Sequence, residues 1–225
     1  WLTNFALQDN GYLWACGHGG HYLIHSGVGN KNTFTRIDLA NVIDYHANNH
    51  HALALTNDGK VYIWGHNNGE SMAGIGSTGT PTHLTALDGK NIVKVRTGGS
   101  SAHAISSDGK LYSWGNGSNY GLPSGSDSDI TAPTEMTWFS RNSVKVVDVQ
   151  VPSEGSAACL ALDDQGNMYV WGEDDNGAIG DGSGDVTSYS VPFLLKENIA
   201  SITAGCYSCG CIDKFGQVYT WGDGG

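Results

Sequence analysis

The chain has 225 residues, enough for one large domain, and its 39% hydrophobic content can build a core. Eleven Lys and Arg against 22 Asp and Glu give a formal charge of -11, which argues against direct nucleic-acid binding or an anionic membrane partner. Thirty-three glycines and five prolines, with no run of eighteen apolar residues, point to a turn-rich chain without a transmembrane helix.

In chain order, the sequence repeats one phrase: a turn glycine, a strand of alternating character, and a closing Trp-Gly. The first, partial unit is residues 1–17. Phe5-Ala6-Leu7 leads to Gly11-Tyr12-Leu13-Trp14-Ala15-Cys16-Gly17, with Cys16 in the later Trp position. The second unit, 18–65, holds a predicted strand at Asn41–Tyr45 and another at Ala52–Leu55. The turn Asn57-Asp58-Gly59 opens Gly59-Lys60-Val61-Tyr62-Ile63-Trp64-Gly65. Asp-Gly between two strand-like runs is a hairpin signal, because the turn needs positive φ.

The third unit, 66–115, repeats the plan with Ile92–Val95, Ala102–Ile105 and Gly109-Lys110-Leu111-Tyr112-Ser113-Trp114-Gly115. The fourth, 116–172, has Val144–Val149, Cys159–Leu162 and Gly166-Asn167-Met168-Tyr169-Val170-Trp171-Gly172. The fifth, 173–222, has Ile199–Ile202, Cys209–Ile212 and Gly216-Gln217-Val218-Tyr219-Thr220-Trp221-Gly222. Closing glycines at 17, 65, 115, 172 and 222 set a period near 50 residues, the size of a four-stranded propeller blade. No segment carries an amphipathic helix of three turns, so the expectation is an all-β chain, 1–225 forming one β-propeller domain or fragment. The Trp-Gly pairs are read as architecture: the ring packs one sheet on the next and the glycine turns the chain off the strand.

The Trp-Gly phrases, with Trp171-Gly172-Glu173-Asp174-Asp175-Asn176-Gly177-Ala178-Ile179-Gly180-Asp181-Gly182 and Ile202-Thr203-Ala204-Gly205 before Cys209–Ile212, resemble the regulator-of-chromosome-condensation repeat. His51 keeps the family's histidine in one unit, and Ser208 replaces it in another. The resemblance implies a seven-bladed propeller, of which this chain supplies an arc of four to five blades from a longer natural protein. It also implies binding through loops on a propeller face. Family members include a nuclear exchange factor, ubiquitin-ligase components and a secreted β-lactamase inhibitor.

Candidate sites are sparse. Tyr120, Trp138, Phe139 and Tyr189 are the aromatic binding candidates, since aromatics dominate interface hot spots. The 116–172 unit that holds three of them is the longest, and long loops on rigid scaffolds carry function. Glu173, Asp174 and Asp175 form an acidic loop without the ligand spacing of a calcium hand. His18, His21 and His25, with His46, His50 and His51, are read as loop and strand residues, not as a metal site. Cys206, Cys209 and Cys211 lack a second ligand pair for zinc and are read as small buried strand residues. No Gly-x-Ser-x-Gly elbow or phosphate loop occurs. The expectation is therefore a protein without catalytic residues, metal or cofactor.

Its expected role is a protein-interaction or surface-recognition module with a protein or surface ligand, as part of a larger assembly. An Asn-, Gly-, Ser- and Thr-rich, Lys-poor composition points to an extracellular, cell-surface or virion setting. The alternative is a nucleotide exchange factor or ubiquitin-ligase adaptor of the same family.

Overall fold

The computed structural model describes residues 3–24, 29–67, 71–118, 121–152, 158–174, 177–183 and 188–223. These residues form five antiparallel sheets in succession. Sheet 1 holds β1 (Thr3–Leu7), β2 (Leu13–Gly17) and β3 (Lys31–Arg36). Sheet 2 runs β4 (Val42–Ala47), β5 (His51–Thr56), β6 (Val61–Gly65) and β7 (Thr78–His83). Sheet 3 runs β8 (Ile92–Thr97), β9 (Ser101–Ser106), β10 (Leu111–Gly115) and β11 (Ile130–Glu135). Sheet 4 runs β12 (Val146–Gln150), β13 (Cys159–Asp163), β14 (Met168–Gly172) and β15 (Tyr189–Lys196). Sheet 5 holds β16 (Ile199–Ala204), β17 (Ser208–Asp213) and β18 (Val218–Gly222).

Every neighbour in a sheet is also a neighbour in sequence, so each sheet is an up-and-down meander. The sheets are out of phase with the repeat units. A unit that ends at Trp-Gly begins with the outer strand of the preceding sheet: β3 lies in 18–65 but pairs with β2. Each unit therefore stitches two sheets together covalently.

The hairpin turns are locally specified. Thr56 Oγ1 donates to Asp58 Oδ1 at 2.5 Å, and Ser106 Oγ does the same to Asp108. In sheets 4 and 5 an aspartate takes over that position. Asp163 Oδ1 accepts the Gln165 and Asn167 N–H groups at 2.9 and 2.8 Å, and Asp213 Oδ1 those of Phe215 and Gln217. Such side chains mimic a further backbone turn. The turn glycines Gly59, Gly109, Gly166 and Gly216 sit at φ between +80° and +88°, where a Cβ is strained.

The core lies between sheets and not in one centre. Leu53, Leu55, Val61 and Ile63 of sheet 2 pack with Val95, Ala102, Ala104 and Trp114 of sheet 3. An equivalent cluster joins sheet 3 to sheet 4, and another joins sheet 4 to sheet 5. Trp64, Trp114 and Trp171 are fully buried in this way, which bears out their architectural reading.

One expectation is corrected here, that for the clustered cysteines, and one connection carries a helix. Trp138 and Phe139 lie on a short helix, α1 (Thr137–Arg141), in the connection between sheets 3 and 4. Five residues are too few for the period of a helix to show in sequence. Of the three clustered cysteines, Cys209 and Cys211 are buried on β17, but Cys206 is exposed in the turn before it.

Candidate interaction face

Antiparallel pairing sends the chain connections to two opposite ends of the sheets. At one end lie the turns of the Asp-Gly type and the links from one sheet to the next. At the other open the short connections that follow Ala47, Thr97, Gln150 and Ala204, and the long loops that follow Gly17, Gly65, Gly115 and Gly172. We call these the turn face and the loop face.

A repeated latch fixes the loop face. The indole N–H of Trp64 donates to Leu23 O at 2.9 Å, that of Trp114 to Ser71 O at 2.9 Å, that of Trp171 to Gly121 O at 3.4 Å, and that of Trp221 to Ala178 O at 2.8 Å. Each acceptor stands six residues after the closing glycine of the preceding sheet. Beside it a buried apolar residue follows in every case: Ile24, Met72, Leu122 and Ile179. The phrase that looked like strand packing thus also pins the root of each long loop. Further links join short connections across sheets: Asn48 Nδ2 donates to Gly98 O, and Gly99 N–H to Pro152 O at 2.9 Å.

The inner strands add a polar chain. Asp44 Oδ2 accepts the Val95 N–H at 2.9 Å and stands 3.4 Å from Arg96 Nη1, while Asp148 Oδ1 faces Lys94 Nζ at 3.2 Å and Arg96 Nη2 at 3.6 Å. His46 Nδ1 accepts the Thr97 N–H at 3.1 Å. Burial holds His46 down to about 4, with Arg96 adding to the effect. His51 and His103, both without solvent contact, are held at about 3 by burial. His103 sits between Ser101 Oγ at 3.1 Å and Ser113 Oγ at 2.8 Å. These histidines are neutral packing elements of the joint between sheets 2 and 3.

The loop histidines behave differently. His21 stacks on His50 at 4.8 Å, and His66 joins them at 5.4 Å from His21. His66 belongs to this group and was not legible in the sequence, because the loop of one sheet meets the next only in three dimensions. Among the described residues no group of three His, Cys, Asp or Glu has metal-binding geometry. His25 lies outside the described residues. The buried thiols carry no reactivity signal: burial raises the Cys159 thiol well above its ordinary value and pushes Cys209 up to about 12.

The binding candidates divide. Phe139 has no solvent contact and belongs to the core between sheets 3 and 4. That corrects its expected surface role, because α1 turns its ring inward onto Trp171 at 6.0 Å. Trp138 is half-buried, edge-on to Tyr169 at 5.8 Å, and lines a groove with Pro123, Met136, Arg141 and Val191. Asp174 is buried and accepts the Ile179 N–H at 3.0 Å, so it shapes its own loop. Glu173 is half-buried, and one of its carboxylate oxygens has no hydrogen-bond partner. Tyr189 donates its hydroxyl to Asp181 Oδ2 at 3.0 Å. Tyr120 and Asp175 lie outside the described residues.

Charge separates the two faces more sharply than any single residue. Among the described residues of the loop-face segments there is no Lys or Arg, and five are carboxylates: Asp127, Asp129, Glu173, Asp174 and Asp181. Of these, Asp127, Asp129 and Asp181 are exposed. The turn face carries Lys60, Lys90, Lys110, Arg141, Lys145 and Lys214, with Arg36 and Lys196 at the strand ends beside them.

Successive three- and four-stranded meanders, packed face to face by repeated aromatic latches, define a β-propeller section whose loops share one face. The chain belongs to the regulator of chromosome condensation (RCC1) repeat family. Models of that repeat match residues 108–159 and 165–212, and a second model of it matches 47–69, together more than half of the chain. The human E3 ubiquitin-protein ligase HERC2 is 35% identical over 105 residues, 46% of this chain and 2% of that protein. The crystal structure of human WBSCR16 superposes with a TM-score of 0.82 and 25% identity over 98% of this chain and 59% of that one. Prp20p from Saccharomyces cerevisiae superposes with a TM-score of 0.83 and 20% identity over 98% of this chain and 56% of its own. The chain thus spans under two thirds of each of these proteins.

Proposed function

We propose that this chain is a non-enzymatic protein-interaction section of an RCC1-repeat propeller, whose loop face binds a lysine- and arginine-rich segment of a partner. The observation that carries this is that the described residues of these loops include five carboxylates, Asp127, Asp129, Glu173, Asp174 and Asp181, and no Lys or Arg. A face of one charge sign raises the encounter rate with an opposite partner and rejects like-charged ones. The latched loop roots supply the rigid frame such a surface needs. Prp20p is described with binding properties to Gsp1p and histones, which makes protein partners the first class to test.

The test is titration of the chain with a Lys/Arg-rich peptide and with an Asp/Glu-rich one at two salt concentrations. Binding of the basic peptide alone, weakened by salt, is expected. Equal binding of both peptides, or of neither, would remove the reading.

A second reading, an adaptor section of a larger ligase or exchange factor, is favoured by the identity shared with HERC2. Nucleotide-release assays on small GTPases and pull-down of ubiquitin-ligase subunits test it. Composition supports an extracellular, cell-surface or virion setting, which fractionation of the source checks.

A further inference from the structure

The outer edges of sheets 1 to 4 are not equivalent. Their registers align at Thr35 opposite Ala15, Thr82 opposite Ile63, Thr134 opposite Ser113 and Phe193 opposite Val170. Thr35, Thr82 and Thr134 each turn a hydroxyl back to the carbonyl two residues earlier, which supports the alignment. The residue just before this position is Pro81, Pro133 and Pro192 in sheets 2, 3 and 4. In sheet 1 it is Phe34.

The direction of the missing donor matters. Ile37, Leu84 and Met136 give their N–H groups inward to Leu13, Val61 and Leu111, each at 2.8 Å. Strand alternation therefore aims the backbone three residues earlier outward, at the open edge. Proline there removes a donor from an edge that would otherwise pair with another chain. Three sheets carry this block. β3 lacks it, keeps outward N–H groups at Phe34 and Arg36, and leaves the Phe34 ring 52% exposed.

Charge adds a second distinction. β3 has Lys31 and Arg36 at its ends and no carboxylate, on a chain of net charge -11. The Arg36 guanidinium is held 4.9 Å over the Tyr12 ring. β7 has no Lys, Arg, Asp or Glu, β11 has Glu135, and β15 has Lys196.

We propose that the β3 edge accepts an extended acidic segment of a protein partner by strand addition. Backbone bonds form along Asn32, Phe34 and Arg36, an apolar residue of the partner covers Phe34, and its carboxylates meet Lys31 and Arg36. This lateral edge is distinct from the loop face and carries the opposite charge sign, so either reading can fail alone.

The probe is a synthetic peptide, Glu-Asp-Thr-Val-Ile-Val-Thr-Asp-Glu, followed by calorimetry and amide hydrogen exchange. Exchange at the Phe34 and Arg36 amides is expected to slow on binding. Phe34→Pro is expected to weaken binding about tenfold, the size of one backbone hydrogen bond. It should leave thermal unfolding unchanged, since proline already occupies that register in three sheets. Phe34→Ala retains the donor and should weaken binding less. Pro81→Phe should open a second, weaker edge on β7. Undiminished binding to the Phe34→Pro protein, or protection confined to β18, would overturn the proposal.

Discussion

The turn face and the loop face are built from the same strands and differ in how their charges are satisfied. On the turn face, Lys60 meets Asp58 at 2.7 Å, His83 meets Asp88 at 2.8 Å, and Lys110 lies 3.7 Å from Asp108 and 3.8 Å from Glu135. Lys196 covers the Tyr219 ring at 4.2 Å, and Lys214 reaches Gln165 O at 2.7 Å. On the loop face, among the described residues, no carboxylate meets a cation. Asp129 accepts the Gly117 N–H and Asp181 that of Ser183. Those bonds order the loops but leave their charge uncompensated. One face pairs its charges within the chain; the other leaves its exposed carboxylates, Asp127, Asp129 and Asp181, facing solvent.

The largest expected effect breaks the frame on which both faces depend. Trp114 has no solvent contact and its indole pins Ser71 O, so Trp114→Ala should cost about 3–5 kcal/mol. Trp221 makes the same bond to Ala178 O but is only half-buried, so Trp221→Ala should cost about half as much. Urea unfolding of the two variants measures this. Equal costs would show that sheet 5 is joined as firmly as sheet 3 and would remove the distinction.

Next in size is acid. His51 and His103 are held at about 3 in the folded chain, against an ordinary value of 6.5. Because the folded values are depressed, the unfolded chain takes up protons first. The stabilising contribution is complete above about pH 6.5 and is lost as pH falls from there toward about 3. At pH 5 each of these two histidines should cost about 2 kcal/mol. The loss should concentrate in the joint between sheets 2 and 3, seen as faster exchange in β5 and β9. Replacing His103 by Asn should flatten the slope of stability between pH 6.5 and 5; an unchanged slope would assign the acid response elsewhere.

The frame was legible because it is periodic. Trp64, Trp114 and Trp171 recur with a turn glycine and an apolar strand, and the middle strands β5, β9 and β13 read as short apolar runs because they are buried along their whole length. The outer strands were not individually legible. β7 reads Thr-Gly-Thr-Pro-Thr-His, half-exposed and interrupted by proline, so neither hydrophobicity nor strand propensity marks it. The interaction face was legible only in part. Its acidic loop was visible at Glu173–Asp175, but Asp174 turned out to bond its own backbone. The segregation of charge needed the strand directions, which decide whether two loops far apart in sequence share a face. Phe139 misled for a related reason: an aromatic in a long connection reads as exposed until the five-residue helix that buries it is seen.

The smallest effect tests the comparison most directly. Asp127 is exposed on the loop face, and Lys110 stands on the turn face beside two carboxylates. Asp127→Lys should lower affinity for the Lys/Arg-rich peptide about three- to tenfold at low salt, mainly through a slower association rate. The loss should shrink as ionic strength rises past the point where the screening length falls below about 8 Å. Lys110→Glu changes net charge by the same amount in the opposite sense, but on the other face. It should leave affinity nearly unchanged, because the distance between the faces exceeds the screening length. If the two reversals instead produce equal and opposite shifts, the peptide is sensing the net charge of the whole chain. The loop face would then have no special claim on a partner.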